Sequence, residues 1–258
     1  MVQFDEWCAS ADTKMGAHHL RIVTADPLRR DLGISATAAA VPGHYASEEH
    51  VARMLARLGK PRAAAFVDGK LPTTKQIRSG DLGEIYATEW IADYAGYQVP
   101  IKRLRWKDHR NMAMRGDDVI GIAQAQPSGP IQFLKTEAKS RVALTAAVVA
   151  EARAGLDKDG GLPSAHALSF ISERLMETGN LALADAIDDA QFKTGISATQ
   201  VCHLLFIFSG NAPGTHLSAA LVAYAGTIVQ WGIGLHIEGH AEFVENVYDR
   251  VIANANNG

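Results

Sequence analysis

The stretch from Arg115 to Arg141 constrains the fold most, because it has the pattern of two strands joined by a short loop. A polar Arg-Gly-Asp-Asp turn leads into an apolar run from Val119 to Ala123. A loop at residues 126–130 contains two prolines and a glycine, and a strand-like run follows from Ile131 to Lys139. Prolines and glycines between two such runs are typical of a turn. We therefore predict a β-hairpin, which commits the chain to a sheet.

Three polar side chains of this hairpin are placed where they can meet. Side chains of a strand alternate between its faces, so Glu137 and Lys139 point the same way, roughly 7 Å apart. When the hairpin closes across its loop, Asp118 at the start of the first strand approaches Glu137. Asp117 competes for the same role, but the apolar run that begins at Val119 favours Asp118. The sequence predicts two carboxylates and a lysine at one edge of a sheet.

Such a group of side chains suits a divalent metal. Mg²⁺ prefers hard oxygen ligands and usually keeps several waters, and Mn²⁺ accepts similar ligands. A metal held there polarises a phosphoryl oxygen and lowers the pKa of bound water, while a lysine positions the water or offsets negative charge. Because Glu-x-Lys on a strand is most often a solvated surface pair, the prediction depends on the order and spacing of the whole set.

A helix upstream supplies a further carboxylate. Capping residues at Ser79 and a recurring apolar pattern predict a helix that ends at Gly96. Glu84 lies in its early turns, and Gly83 beside it leaves room for close approach of a backbone or a ligand. A glutamate there is also favoured by the helix dipole alone. Glu89 is a second, weaker candidate on another face of the helix.

Basic residues gather between this helix and the hairpin. The run from Gly96 to Trp106 is interpreted as a strand, and the segment that follows ends at the proposed metal site. Contacts from such residues to phosphates give affinity that does not depend on sequence. An edge strand protected by its charges is the alternative. The predicted DNA-binding residues are Lys102, Arg103, Arg105, Lys107, Arg110 and Arg115.

The overall charge and the cysteines limit the partners and the cellular compartment that we expect for this protein. A net charge of −3 gives no general attraction to nucleic acid, so DNA contacts must come from a local patch. Cys8 and Cys202 have neither metal-type nor disulfide-type spacing, which suits a reducing cytoplasm. The N-terminus does not have the pattern of a signal peptide, and no apolar run is long enough to span a membrane. We expect a cytoplasmic protein with no membrane partner.

The remaining elements indicate an α/β protein with a mixed sheet between helices. Residues 1–78 form an N-terminal accessory region and residues 79–258 the main domain, unless the two are one continuous domain. The further predicted strands are 19–24, 63–67, 201–208 and 227–237, and the further helices are 48–57, 142–156, 164–177, 181–192, 215–224 and 241–254. The spacing of His236, Glu238 and His240 allows a zinc site only if the strand continues past Gly239.

The order Asp, hairpin, Glu-x-Lys resembles the PD-(D/E)xK nuclease superfamily. In this chain the pattern consists of Asp118, Glu137 and Lys139, and the proline of the superfamily name is absent. The resemblance implies a restriction-endonuclease-like core in which a helix glutamate, here Glu84, completes the metal site. It implies a catalytic set of Glu84, Asp118, Glu137 and Lys139. The metal, Mg²⁺ or Mn²⁺, is held by the three carboxylates, with Asp117 as the alternative to Asp118.

Three segments more closely resemble the HamA family of the Hachiman anti-phage systems. They are residues 80–84, 106–118 and 135–139. The resemblance implies a metal-dependent DNase effector with little sequence specificity, which works with a superfamily 2 helicase of the HamB type. Two alternatives stay open. The chain is another restriction or repair nuclease of the superfamily, or a non-catalytic interaction subunit that keeps the fold.

Overall fold

The protein has an α/β architecture in which a six-stranded mixed sheet is flanked by helices. The computed structural model describes residues 1–124 and 129–257. The strands are β1 (Cys8–Met15), β2 (His18–Ala25), β3 (Val119–Gln124), β4 (Ile131–Arg141), β5 (Val201–Ser209) and β6 (Val229–His236). The helices are α1 (Arg30–Tyr45), α2 (Glu48–Leu58), α3 (Lys60–Lys70), α4 (Lys75–Tyr94), α5 (Ala146–Asp157), α6 (Ala165–Glu177), α7 (Leu181–Asp188), α8 (Gly214–Ala223) and α9 (His240–Asn257).

The strand order across the sheet is β1-β2-β6-β5-β4-β3. The central pairs β2–β6, β6–β5 and β5–β4 are parallel, and the outer pairs β1–β2 and β4–β3 are antiparallel. All nine residues of β5 are buried, as expected for a central parallel strand covered on both faces. The sheet therefore has β1 at one edge and β3, the first strand of the hairpin, at the other.

Helices cover both faces of the sheet. On one face α1, α4 and α9 enclose the largest core cluster, in which Tyr86, Phe208 and Phe243 pack together. On the other face α5 and α8 pack over Leu205 and Ile207 of β5, while α6 and α7 pack near the hairpin. Within the described residues, none of the helices combines the length and the hydropathy needed to cross a bilayer.

The predicted hairpin is confirmed. β3 pairs with β4 from Val119 opposite Thr136 to Gln124 opposite Ile131. Residues 126–128 of the predicted loop lie outside the described residues. The buried strand at 201–208, the strands at 19–24 and 227–237, and the helices at 48–57, 164–177 and 215–224 are confirmed within a few residues at their ends. The mixed sheet between helices is thus confirmed, and the restriction-endonuclease-like topology stays a prediction.

Two predicted strands are wrong. Residues 63–67 belong to α3, where Pro61 in the first turn and a run of alanines favour a helix. The segment 96–106 makes one isolated bridge, between Gln98 and Ile122, and then forms a short helical turn at Arg103–Trp106. A short apolar run has no periodicity that distinguishes a strand from a helix, so the hydrophobic pattern of these two segments could not predict which one forms.

The N-terminal region contributes to the same sheet. β2 pairs in parallel with β6, and β1 was not predicted because its short polar residues are mostly exposed and do not alternate. α4 begins at Lys75, capped by the Thr74 side chain, four residues before the predicted start. The helix therefore crosses residue 78, and the proposed division of the chain there stays a prediction.

Candidate active site

Asp118 lies where the edge strand begins. β3 starts at Val119, opposite Thr136, whereas β4 continues to Arg141, so the last five residues of β4 extend past their pairing with β3. The backbone N–H of Ala138 in this extension donates to a carboxylate oxygen of Asp118, with an N···O distance of 2.9 Å. The Asp118 carboxylate thus accepts a hydrogen bond that a neighbouring strand would otherwise accept. This bond fixes the carboxylate at the unpaired edge of β4.

Asp117 has different partners. Its carboxylate accepts hydrogen bonds from both the backbone N–H and the hydroxyl of Ser164, each at 2.8 Å, at the start of α6. It also lies 3.5 Å from the ammonium of Lys135, a side chain that is 1% exposed. Asp117 therefore joins α6 to the hairpin, and Asp118 is left facing the other acidic residues.

Glu137 and Lys139 point together toward α5, as the alternation of a strand requires. The Lys139 ammonium lies 2.9 Å from a carboxylate oxygen of Glu137 and 3.1 Å from one of Glu151 on α5. A Cβ atom at Gly155, also on α5, would lie only 2.7 Å from the Glu137 carboxyl. The absence of a side chain at position 155 is what allows the Glu137 carboxylate to occupy its place.

Glu84 approaches from the opposite face of β4. Gly83 brings α4 close to the strand, because a Cβ atom there would lie 3.3 Å from the Cβ of Ser140. Since Ser140 and Glu137 are an odd number of residues apart on β4, they point to different faces. One oxygen of Glu84 is buried without a hydrogen-bond partner, and the guanidinium of Arg103 lies 4.0 Å from it.

The charges of the three carboxylates interact through Asp118. Burial and, to a smaller extent, the negative charge of Glu137 raise the pKa of Asp118 to about 6. Burial, followed by the charge of Asp118, holds the pKa of Glu84 well above its usual range. The acidic group is therefore linked in the order Glu84, Asp118, Glu137, with each neighbouring pair carrying an unfavourable charge interaction.

Two neighbouring carboxylates of this group are enough to bind one cation. Among the described residues, no three side chains of His, Cys, Asp or Glu form a group able to hold a metal ion together. Mg²⁺ is commonly bound through one or two carboxylates and several waters, so a pair is sufficient. The buried oxygen of Glu84 that lacks a partner, and the raised pKa values of Glu84 and Asp118, are features that a bound cation would relieve.

Lys139 carries its charge at neutral pH. Burial lowers its pKa, but the hydrogen bond and the charge of Glu137 outweigh burial, so the pKa lies above its usual range. A lysine in this state donates hydrogen bonds and stabilises negative charge. It does not act as a proton acceptor at neutral pH.

Most of the predicted DNA-binding residues have partners within the protein. Lys102 pairs with Glu89, and Lys107 with the buried Asp81. The other guanidinium groups donate to backbone carbonyls, Arg103 to those of 115 and 118, Arg105 to that of 43 and Arg110 to that of 68. Arg115 is exposed at the end of the segment. Most basic side chains of this segment therefore hold it in place beside the site through contacts within the protein. Contact of the segment with DNA stays a prediction.

The zinc alternative is wrong. β6 ends at His236, and Gly239 has a φ of +66°, so the strand breaks before the third residue of the trio. His240 is buried and its ring bonds the hydroxyl of Ser140 at 2.8 Å. Through this hydrogen bond His240 joins α9 to β4.

Sequence reasoning missed three residues that shape the site. Glu151 and Gly155 of α5 set the positions of Lys139 and Glu137, and Lys135 holds Asp117 together with the backbone of 158 and 162. A glycine inside an alanine-rich helix was the available signal for close approach at 155. The even spacing of 135, 137 and 139 was the signal that Lys135 shares the face of the other two.

The fold and the site together define a class of protein. It is an α/β protein whose mixed sheet carries linked carboxylates and a charged lysine where the edge strand begins. A profile of the HamA family matches residues 1–251, and the chain belongs to this family. The Hachiman protein HamA of Bacillus cereus is 25% identical over 257 residues, which cover 97% of this chain and 91% of that protein.

Proposed function

We propose that this protein is the metal-dependent DNase of an anti-phage defence complex and hydrolyses phosphodiester bonds with little sequence specificity. Its proposed partner is a superfamily 2 helicase of the HamB type. Membership of the HamA family supports the defence role. The order and placement of Asp118, Glu137 and Lys139 support a nuclease of the PD-(D/E)xK type.

The observation that carries the proposal is the position of Asp118. Its carboxylate is held at the open end of β4 and interacts electrostatically with both Glu137 and Glu84. Asp118 and Glu137 would hold the metal as a pair, and Glu84, on the opposite side of Asp118, would become a further ligand on a shift of the carboxylates toward the cation. Bound Mg²⁺ or Mn²⁺ would polarise a phosphoryl oxygen and lower the pKa of a water.

The lysine has a defined part in this reaction. Because Lys139 stays protonated at neutral pH, its ammonium orients the attacking water or stabilises charge on the phosphoryl oxygens. Glu137 and Glu151 hold it on two sides, so its three donors have a fixed direction. The positive charge of Arg103, 4.0 Å from Glu84, partly offsets the effect of burial on the pKa of that carboxyl.

The test is cleavage of plasmid and linear DNA with Mg²⁺, with Mn²⁺ or with EDTA, in the presence and absence of the helicase. We expect cleavage with either metal and none with EDTA. The double variant Glu137→Ala with Lys139→Ala is expected to lose cleavage while its thermal unfolding temperature changes little. Asp189→Ala with Lys193→Ala is the matched control, because it removes an exposed ion pair of 3.1 Å. Cleavage by the first variant at the wild-type rate would refute the assignment.

A non-catalytic interaction subunit is the second candidate, and one observation favours it. Glu84 and Glu137 approach Asp118 from opposite faces of β4, and the described residues hold no three-ligand group. A pure protein that binds the helicase but cleaves no DNA with either metal would support this candidate. A chain that cleaves DNA but binds no helicase would instead favour another restriction or repair nuclease.

A further inference from the structure

A cavity of about 440 Å³ opens beside the candidate active site. It lies past the edge strand β3, between α4 and α6, and the segment 101–115 closes it. Glu84 and Asp118 line one side of it, so the cavity and the carboxylates share a wall. Its volume is within the range of sites that enclose small organic ligands, roughly 300–1,000 Å³.

The walls of the cavity are mainly apolar and include two aromatic rings. Trp106 and Phe170 face each other edge to face, with ring centroids 6.0 Å apart. Ile101, Ile120 and Ile171 complete this side. Flat aromatic and branched aliphatic surfaces are what proteins use to enclose an unstacked nucleobase.

The cavity also has polar groups on its walls. Thr88 offers a hydroxyl that can donate or accept a hydrogen bond, whereas the side chains of His44 and Lys102 are paired with Glu89. Arg115, exposed at the mouth, supplies positive charge for a phosphate. A base that is paired and stacked in a duplex must leave the stack before it can enter a cavity of this size.

We propose that this cavity takes the base of an unpaired nucleotide and so directs the site to single-stranded, frayed or locally opened DNA. This inference rests on the proposed function, since it names the substrate class of the same site. With a base against the edge-to-face rings of Trp106 and Phe170, the adjoining phosphate lies along the wall formed by Glu84 and Asp118. The cavity then selects DNA by strand separation and not by sequence.

The test uses the full chain in EDTA and a short single-stranded oligonucleotide with one 2-aminopurine, alone and as its blunt duplex. We expect the single strand to bind about tenfold more tightly than the duplex, as enclosure of one base would give. We also expect the bound 2-aminopurine to be protected from quenching by acrylamide. Ala113→Trp fills the cavity from an exposed position and should abolish both the preference and the protection.

Ala182→Trp is the matched control, since it adds the same ring at an exposed position on α7. It should leave binding and protection unchanged. Equal affinity for the two forms, failure to bind either form, or an unprotected base that is unaffected by Ala113→Trp would overturn the inference.

The binding and cleavage measurements distinguish a failure of this inference from a failure of the proposed function. A protein that protects the base in EDTA but cleaves nothing with Mg²⁺ or Mn²⁺ supports the cavity assignment and refutes the DNase. A protein that cleaves single strands and blunt duplexes at the same rate supports the DNase and refutes the cavity assignment.

Discussion

At the scale of single residues, the adjacent aspartates 117 and 118 have opposite roles in stability. Asp117 accepts two hydrogen bonds from Ser164 and lies beside the buried ammonium of Lys135. Asp118 accepts one from the N–H of Ala138 and otherwise faces carboxylates. Asp117 therefore stabilises the fold. The negative charge of Asp118 destabilises it, because burial and the neighbouring carboxylates oppose ionisation.

The corresponding asparagine variants should therefore shift stability in opposite directions. Asp118→Asn keeps an oxygen for Ala138 and removes a charge that burial and Glu137 oppose, so we expect it to stabilise by about 1–3 kcal/mol without metal. Asp117→Asn leaves Lys135 without its counter-charge and should cost about 1–3 kcal/mol. Urea denaturation at pH 8 in EDTA measures both. Shifts of the same sign in the two variants would contradict these separate roles.

The raised pKa of Asp118 also predicts how metal binding depends on pH. Between about pH 4 and about pH 6 this carboxyl is protonated in the folded protein and ionised in the unfolded chain, so the stability that it contributes at lower pH is lost as pH rises through that range. Mg²⁺ competes with the proton for the same oxygens. We expect Mg²⁺ to raise the thermal unfolding temperature at pH 8, and to do so little at pH 5.

The control for this dependence is Asp118→Asn, which should show no Mg²⁺ effect at either pH. A Mg²⁺ shift of the same size at pH 5 and pH 8 would show that the metal binds elsewhere. The same measurement on Asp117→Asn separates the two aspartates as ligands.

Charge pairing is the residue-level feature that the sequence could not predict. The bond between Lys107 and Asp81 joins positions 26 residues apart, and both side chains are 4% exposed. Along the chain Lys107 is one of several basic residues, and nothing local shows that it is buried. The position of Asp118 was predictable because it directly precedes an apolar strand. The partners of the basic residues depend on the tertiary fold.

At the scale of elements, β4 is the strand that holds the site together. Its two faces carry different chemistry, with Lys135, Glu137 and Lys139 toward α5, and Ala138 and Ser140 toward α4. The hairpin was predictable because an apolar run, a loop with prolines and a glycine, and a second strand-like run follow one another. The strands proposed at 63–67 and 96–106 were wrong because neither segment belongs to such a set of two runs and a turn.

The contact between α5 and β4 gives an element-level prediction. Gly155→Ala would place a Cβ atom 2.7 Å from the carboxyl of Glu137 and force that carboxylate away from the site. Alanine also favours the helix by about 1 kcal/mol, so overall stability should change little. We expect DNA cleavage to fall about a hundredfold or more, as misplacement of a reacting group by about 1 Å produces.

Gly69→Ala is the matched control, because position 69 is also helical and has open space around its Cβ. It should raise stability by up to about 1 kcal/mol and leave cleavage unchanged. Wild-type cleavage by Gly155→Ala would show that Glu137 is not held where the reaction occurs. Thermal unfolding and plasmid cleavage on the same preparations separate the two effects.

At the scale of the whole molecule, the N-terminal residues and the site share one core. Val2, Phe4 and Trp7 are buried in the cluster that also contains α4 and α9. The ring of Trp7 stacks on Phe243 of α9 at 5.9 Å, and its N–H donates to the carbonyl of Val2. This packing was not predictable, because long-range contacts between the N-terminal residues and the last helix leave no local pattern along the chain.

This shared core predicts that the chain unfolds as one unit. Trp7→Ala removes a fully buried ring that lies against Gly33, so it should cost about 3–5 kcal/mol of stability. Urea unfolding followed by far-UV circular dichroism and by the fluorescence of the remaining tryptophans measures this. We expect one transition, at the same lowered urea concentration with both probes, because a cooperative domain loses all its structure together. Two separated transitions, with only the first displaced by the variant, would instead place a domain boundary near residue 78.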